Sequence, residues 1–179
     1  SSELIQNDYV IRAIGSNIDL DRFYGNTDTV SVIDELIKLS EPNLDNQTLF
    51  IWPEGIIPNI TQSELKDYDF LFKNKFNKNH LLGMGINSYQ ADINKDLFYN
   101  SFSFYDHEIN LINIYNKVNL VPFGEFLPFE KILGRIGLKS LTNNYQSYSR
   151  GKNREIISIT QNNFDIKLLP LICYEIIYS

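Results

Sequence analysis

Three side chains in this sequence could together form a nucleophilic set: the carboxylate of Glu54, the ammonium of Lys117 and the thiol of Cys173. A carboxylate can take a thiol proton, the thiolate can attack an acyl carbon, and an ammonium can neutralise the resulting oxyanion. A free thiol titrates at about 8.5, and a positive neighbour or a helix N-terminus lowers that value. Cys173 stands where a strand gives way to a helix, close to Lys117 if their strands are neighbours. Glu54 opposes ionisation of the thiol as a charge but favours it as a proton acceptor. Each residue also has a plainer reading. A lone Cys after an apolar strand packs as a small hydrophobe, and a Glu after Trp-Pro or a Lys after Tyr-Asn is solvated. His80 and His107 have no metal-ligand spacing and read as structural, and Trp52 reads as core.

All three candidates follow apparent strands, and in layered α/β sheets sites collect at strand C-terminal ends. Residues 9–17 read as a first strand with Val10, Ile11 and Ile14 as its apolar residues, and 19–26 as a loop. Residues 27–40 read as a helix with Val30, Ile33, Leu36 and Ile37 on one face. Asn26 or Thr27 would cap it, and Glu41-Pro42-Asn43 would end it. The continuously apolar Thr48–Trp52 suits a strand covered on both faces, with a loop over 54–59. Thr61 and Glu64 have the spacing of a capping box, opening a helix striped by Leu65, Tyr68, Phe72 and Phe76. Residues 80–87 read as a strand whose two glycines allow close backbone approach. Residues 98–105 and 109–115 alternate around Asp106-His107-Glu108 as a hairpin. Residues 121–141 read as a long loop, a length usually associated with function. Residues 155–160 and 164–172 form a second hairpin whose last strand runs into Cys173. The order predicts an α/β layered fold with a mixed sheet. No Gly-rich phosphate loop is present.

Composition narrows the function classes. A chain of 179 residues, 43% hydrophobic and 21% charged, has ordinary globular usage and the size of one domain. Sixteen basic against 22 acidic residues, for a net charge of −6, with no basic run, argue against binding nucleic acid through phosphates. A single Cys excludes an intrachain disulfide framework and a Cys-based zinc cluster. No apolar run reaches the ~18–20 residues that span a bilayer, since 166–177 carries Lys167 and Glu175. There is no signal-peptide pattern. The chain opens on Ser-Ser-Glu and stops within an apparent element, so it is expected to be part of a longer protein.

Longer motifs surround the three candidates. Trp52-Pro53-Glu54, the run from Tyr115 to Pro128 (YNKVNLVPFGEFLP), Tyr148-Ser149-Arg150-Gly151 and Ile172-Cys173-Tyr174-Glu175 follow in order. The sequence resembles the Glu-Lys-Cys motifs of the nitrilase (carbon–nitrogen hydrolase) superfamily. The PFGEFLP run, and a Glu rather than an Asp after Cys-Tyr, resemble its apolipoprotein N-acyltransferase family. The resemblance covers nearly the whole chain.

It implies that Glu54 is the general base, Lys117 the oxyanion-stabilising lysine and Cys173 the nucleophile that becomes a thioester. It makes Glu125 a second, supporting carboxylate, with Tyr174 and Glu175 flanking the nucleophile. It implies a four-layer α-β-β-α sandwich facing the periplasm at the bacterial inner membrane, truncated here after the nucleophile elbow. Membrane helices and a further length of sandwich would lie outside this chain, so the 179 residues alone are expected to be inactive or poorly folded. The implied partners are a phospholipid acyl donor and a diacylglyceryl-modified apolipoprotein. Neither metal, cofactor nor nucleic acid is implied. The apolar loop over 121–138 would then meet acyl chains or pack as an ordinary loop. The family often has a Trp near the first loop, where this chain has Phe23-Tyr24. Two other classes stay open: a soluble amidase using the same three residues, and a non-enzymatic domain with an inert Cys173.

Overall fold

The computed structural model describes residues 9–15, 28–57, 60–92, 96–126, 147–162 and 164–178. Its centre is a five-stranded mixed sheet in the order β1 (Val10–Ala13), β2 (Thr48–Trp52), β3 (His80–Gly85), β6 (Ser101–Tyr105), β7 (Leu111–Asn116). β1, β2 and β3 pair in parallel, while β6 is antiparallel to both β3 and β7. Four strands therefore run one way, and their C-terminal ends share one sheet edge with the start of β6. β4 (Ser88–Gln90) and β5 (Leu97–Tyr99) form a separate two-stranded ribbon, as do β8 (Ile157–Gln161) and β9 (Phe164–Leu168).

Period-two alternation assigns the central sheet two apolar faces. Phe50, Trp52, Leu82 and Met84 point to one side and bury against Val32, Ile33, Leu36 and Ile37 of helix α1 (Thr29–Ser40). The same layer holds Leu65 and Phe72, from a 3-10 turn over Glu64–Tyr68 and the short helix α2 (Asp69–Phe72). Leu49, Leu81 and Phe104 point to the other side and pack on Ile157, Ile159, Phe164 and Ile166 of the β8–β9 hairpin. An open apolar cavity of about 330 Å³ remains between sheet and hairpin, lined by Ile51, Phe102, Phe104, Ile166 and Leu168 among others. The layers are thus helix, sheet, hairpin; an outer helical layer beyond the hairpin is not formed by the described residues. None of their helices is long and apolar enough to cross a membrane.

Several local expectations change. The cap of α1 is Asp28, whose carboxylate accepts from the N–H groups of Val30 and Ser31. It satisfies two otherwise orphaned donors, so the helix starts two residues after 27. Val30 points outward rather than into the core. The Glu64 carboxylate reaches back to Thr61 N at 2.7 Å, one half of a capping box, but the turn it opens is 3-10 and only four α-helical residues follow. Asn100 splits the predicted strand 98–105, and the part before it pairs with β4 instead. β9 ends at Leu168, four residues before the expected end, because Pro170 has no N–H to continue the ladder. The expected loop 19–26 and the part of 121–141 beyond 126 lie outside the described residues.

Candidate active site

The shared sheet edge carries Glu54 and Lys117, and Glu125 meets them there. Glu54 lies in the turn after β2, and Lys117 follows β7 directly. Asn100 immediately precedes β6 and accepts from Lys117 N through its backbone oxygen at 2.9 Å. The Lys117 side chain is only 1% exposed, so its charge needs partners close by. Its Nζ donates to Glu125 Oε1 at 2.9 Å and lies 3.8 Å from Glu54 Oε1. Glu125 is held in turn by Val121 N at 2.8 Å on its other oxygen. Asn100 Nδ2 donates to both carboxylates, to Glu125 Oε1 at 2.6 Å and to Glu54 Oε1. Two carboxylates therefore share one ammonium and one amide.

Backbone packing sets these positions. A side chain at Gly85, the last residue of β3, would place its Cβ 2.5 Å from Glu54 Cα and 2.6 Å from Glu54 N. The turn carrying Glu54 can lie this close only because that position has no Cβ. Gly151 N donates to Lys117 O at 2.8 Å, and a Cβ on Gly151 would collide with Asn116 O. Behind the site, Ser101 Oγ donates to Asn116 Oδ1 at 2.7 Å, fixing the β6–β7 register where Asn100 and Lys117 emerge.

Cys173 opens a 3-10 turn over Cys173–Tyr178, and its backbone is left-handed, with φ of 55°. Such a conformation costs a non-glycine residue about 1–2 kcal/mol, and strain of this kind concentrates at functional sites. What holds it is Glu175, fully buried. The carboxylate accepts from Ile172 N at 3.0 Å, Val118 N at 2.8 Å, Asn119 N at 2.9 Å and the Tyr115 hydroxyl at 3.0 Å. Burial first, then the bond to Glu175, pushes the Tyr115 phenol well above its ordinary value. One carboxylate thus pins the residue before Cys173 and the residue after Lys117. The Cys173 side chain is exposed, and its Sγ makes no hydrogen bond to the described residues. Candidate catalytic hydrogen bonds are often unformed before substrate closes a site. Tyr174 is exposed, and so is Phe123, which takes a left-handed backbone in the turn between Val121 and Glu125.

Two residues near the site were not singled out by sequence reasoning. Asn100 is one, and its signal is a polar residue inside the alternating run LFYNSFSFY. Tyr148 is the other; it opens the motif Tyr148-Ser149-Arg150-Gly151. Its N–H donates to Glu125 O at 2.8 Å. Burial raises its phenol above the ordinary value, and the charges of Glu125, Glu54 and Lys117 all reach it. His80 is structural, bonded to Asn77 N and Asn43 O between Phe50 and Phe76. No cluster able to hold a metal ion occurs among the described residues.

No protein-family model matches the chain. An apolipoprotein N-acyltransferase of Allorhizobium ampelinum is 28% identical over 177 residues, covering 94% of this chain and 32% of the relative. One of Brucella suis is 27% identical over 173 residues with the same coverage. One of Rhizobium rhizogenes is 40% identical over 81 residues, 45% of this chain and 15% of the relative. The chain spans about a third of the length of the first two. Among solved structures, the NitFhit protein of C. elegans aligns with a TM-score of 0.45 and 14% identity, covering 87% of this chain and 36% of that one. An amidase from Nesterenkonia sp. AN1 aligns with a TM-score of 0.41 and 12% identity, covering 90% and 52%. In sequence, over 94% of its length, the chain is similar to bacterial apolipoprotein N-acyltransferases.

Proposed function

We propose that this chain carries the nitrilase-like catalytic part of an apolipoprotein N-acyltransferase working at the periplasmic face of the bacterial inner membrane. The observation that carries the reading is the buried Lys117, with Glu54 and Glu125 gathered on it and the Cys173 elbow clamped beside it through Glu175. Acyl transfer rather than simple amide hydrolysis is favoured by the relatives named above.

In the first half-reaction Glu54 takes the Sγ proton and the Cys173 thiolate attacks the sn-1 ester carbonyl of a phospholipid. Lys117 faces the tetrahedral oxyanion; a positioned contact of this kind contributes about 3–4 kcal/mol. The C–O bond breaks, the leaving alkoxide takes the proton from Glu54, and a lysophospholipid departs from a Cys173 thioester. In the second half-reaction the α-amine of a diacylglyceryl-cysteine attacks the thioester and loses its proton to Glu54. An amide forms, and the thiolate leaves and is reprotonated. Glu125 holds Lys117 Nζ in place throughout. No redox step or cofactor is needed.

The test supplies a phosphatidylethanolamine bearing an alkyne at the end of its sn-1 chain to the protein as expressed from its own gene, in membranes. A hydroxylamine-sensitive label on Cys173, lost in Cys173→Ser and chased off by a diacylglyceryl-cysteine peptide, is expected. No label, with turnover of a small water-soluble amide instead, would favour the amidase reading. An unlabelled, inert thiol would leave a non-enzymatic domain.

A further inference from the structure

The geometry points to Asn100 as the residue that positions Glu54 and Glu125 around Lys117. This inference rests on the catalytic reading above and adds a residue to it. Its motivation is an asymmetry. Glu125 has direct donors of its own in Lys117 Nζ and Val121 N. Among the described residues Glu54 has no such donor of its own: it stands 3.8 Å from Lys117 Nζ, beyond hydrogen-bond reach, and its side chain is 39% exposed. The donor that reaches it is Asn100 Nδ2. A partly solvated carboxylate on a turn loses rotamer freedom only where something fixes it. Here that is one amide nitrogen with two hydrogens, one for each carboxylate.

Asn100 suits the task because its own place is fixed by backbone and neighbours. It is buried, its backbone oxygen takes the Lys117 N–H, and the next residue, Ser101, is bonded to Asn116 and Ser88. The amide is neutral, so it adds donors without adding a charge to a group of two carboxylates and one ammonium. An Asp of the same shape would offer acceptors where donors are required. Three carboxylates would then surround one ammonium, and such crowding favours protonating one of them. A bare Ala would remove the donor and leave the charges unchanged.

The experiment compares wild type, Asn100→Ala and Asn100→Asp between pH 5.5 and 9 in the protein as expressed from its own gene. One readout is the rate of thioester formation from the alkyne phospholipid. The other is the alkylation rate of Cys173 by iodoacetamide, which needs no substrate and so tests Asn100 even if the acyltransferase reading fails. Thermal melts report whether each variant is folded. At pH 7.5 the thioester rate is expected to fall at least tenfold in both variants. The Asp variant should regain rate on acidification as the added carboxyl takes a proton, while the Ala variant stays low across the range. The alkylation profile of the Asp variant should move to higher pH. If the Asp variant does not fold, a tenfold loss in a folded Ala variant carries the inference alone. Thioester rates within twofold of a labelled wild type would overturn it and leave the function standing. A wild type that never forms the thioester would refute the function; unchanged alkylation profiles in both variants would then overturn the inference too.

Discussion

Lys117 is where the residues of this site meet. A fully buried ammonium with two carboxylates and an amide around it is an arrangement in which every member depends on the others. Replacing Lys117 by Met keeps the bulk and removes the charge, so Glu54 and Glu125 would face each other across an apolar stem. The expected result is a loss of about 10²–10³-fold in thioester formation, together with a lower melting temperature. Activity within tenfold of wild type would rule out the oxyanion role proposed for Lys117. Glu54, Lys117 and Cys173 could be picked out in the sequence because each follows a recognisable apolar run. Asn100 could not. A polar residue inside an alternating strand has many ordinary uses, and only the fold reveals that this one turns toward two carboxylates.

At the scale of elements, the site depends on close backbone approach as much as on side chains. Gly85 lets the end of β3 touch the turn that carries Glu54. In Gly85→Ala the turn must move away, at a stability cost of about 1–3 kcal/mol, as overpacking generally brings. Thioester formation should fall by more than the unfolded fraction explains, because Glu54 moves with the turn. Parallel measurement of melting temperature and rate checks this; a stability loss with an unchanged rate per folded molecule would contradict it. The elements themselves were largely readable. β2 and β3 are continuous apolar runs and α1 has a clear stripe, so their type follows from burial alone. The ends were harder. Asp28 caps the helix because its two oxygens reach two N–H groups. The apolar run Leu168 to Ile172 looks like strand throughout, yet Pro170 ends pairing and frees the chain to turn toward Cys173.

Over the whole molecule, one buried group ties stability to pH. His80 sits among Phe50 and Phe76, and burial holds its pKa below the ordinary 6.5. Its Nδ1 accepts from Asn77 N, so Nε2 carries the proton and donates to Asn43 O. The unfolded chain binds a second proton that the folded one resists. Stability from this group is therefore complete above pH 6.5 and is lost as pH falls from there toward the lowered folded value. Melting temperature should drop on acidification through that window, and less steeply in His80→Gln, which is less stable at every pH. An identical slope in both would exclude His80 as the source.

The shared sheet edge has a consequence for the order of events during synthesis. The candidate site residues, Glu54, Gly85, Asn100, Lys117, Glu125, Gly151 and Cys173, are spread along the chain, and contacts between such distant positions form slowly. The Cys173 thiol leaves the ribosome after Glu54, Lys117 and Glu125, the groups proposed to activate it, and just before Glu175. On the proposed function, a nascent chain has no working nucleophile until the β-layers have docked and Glu175 has closed the elbow, so competence for acylation should report that folding is complete.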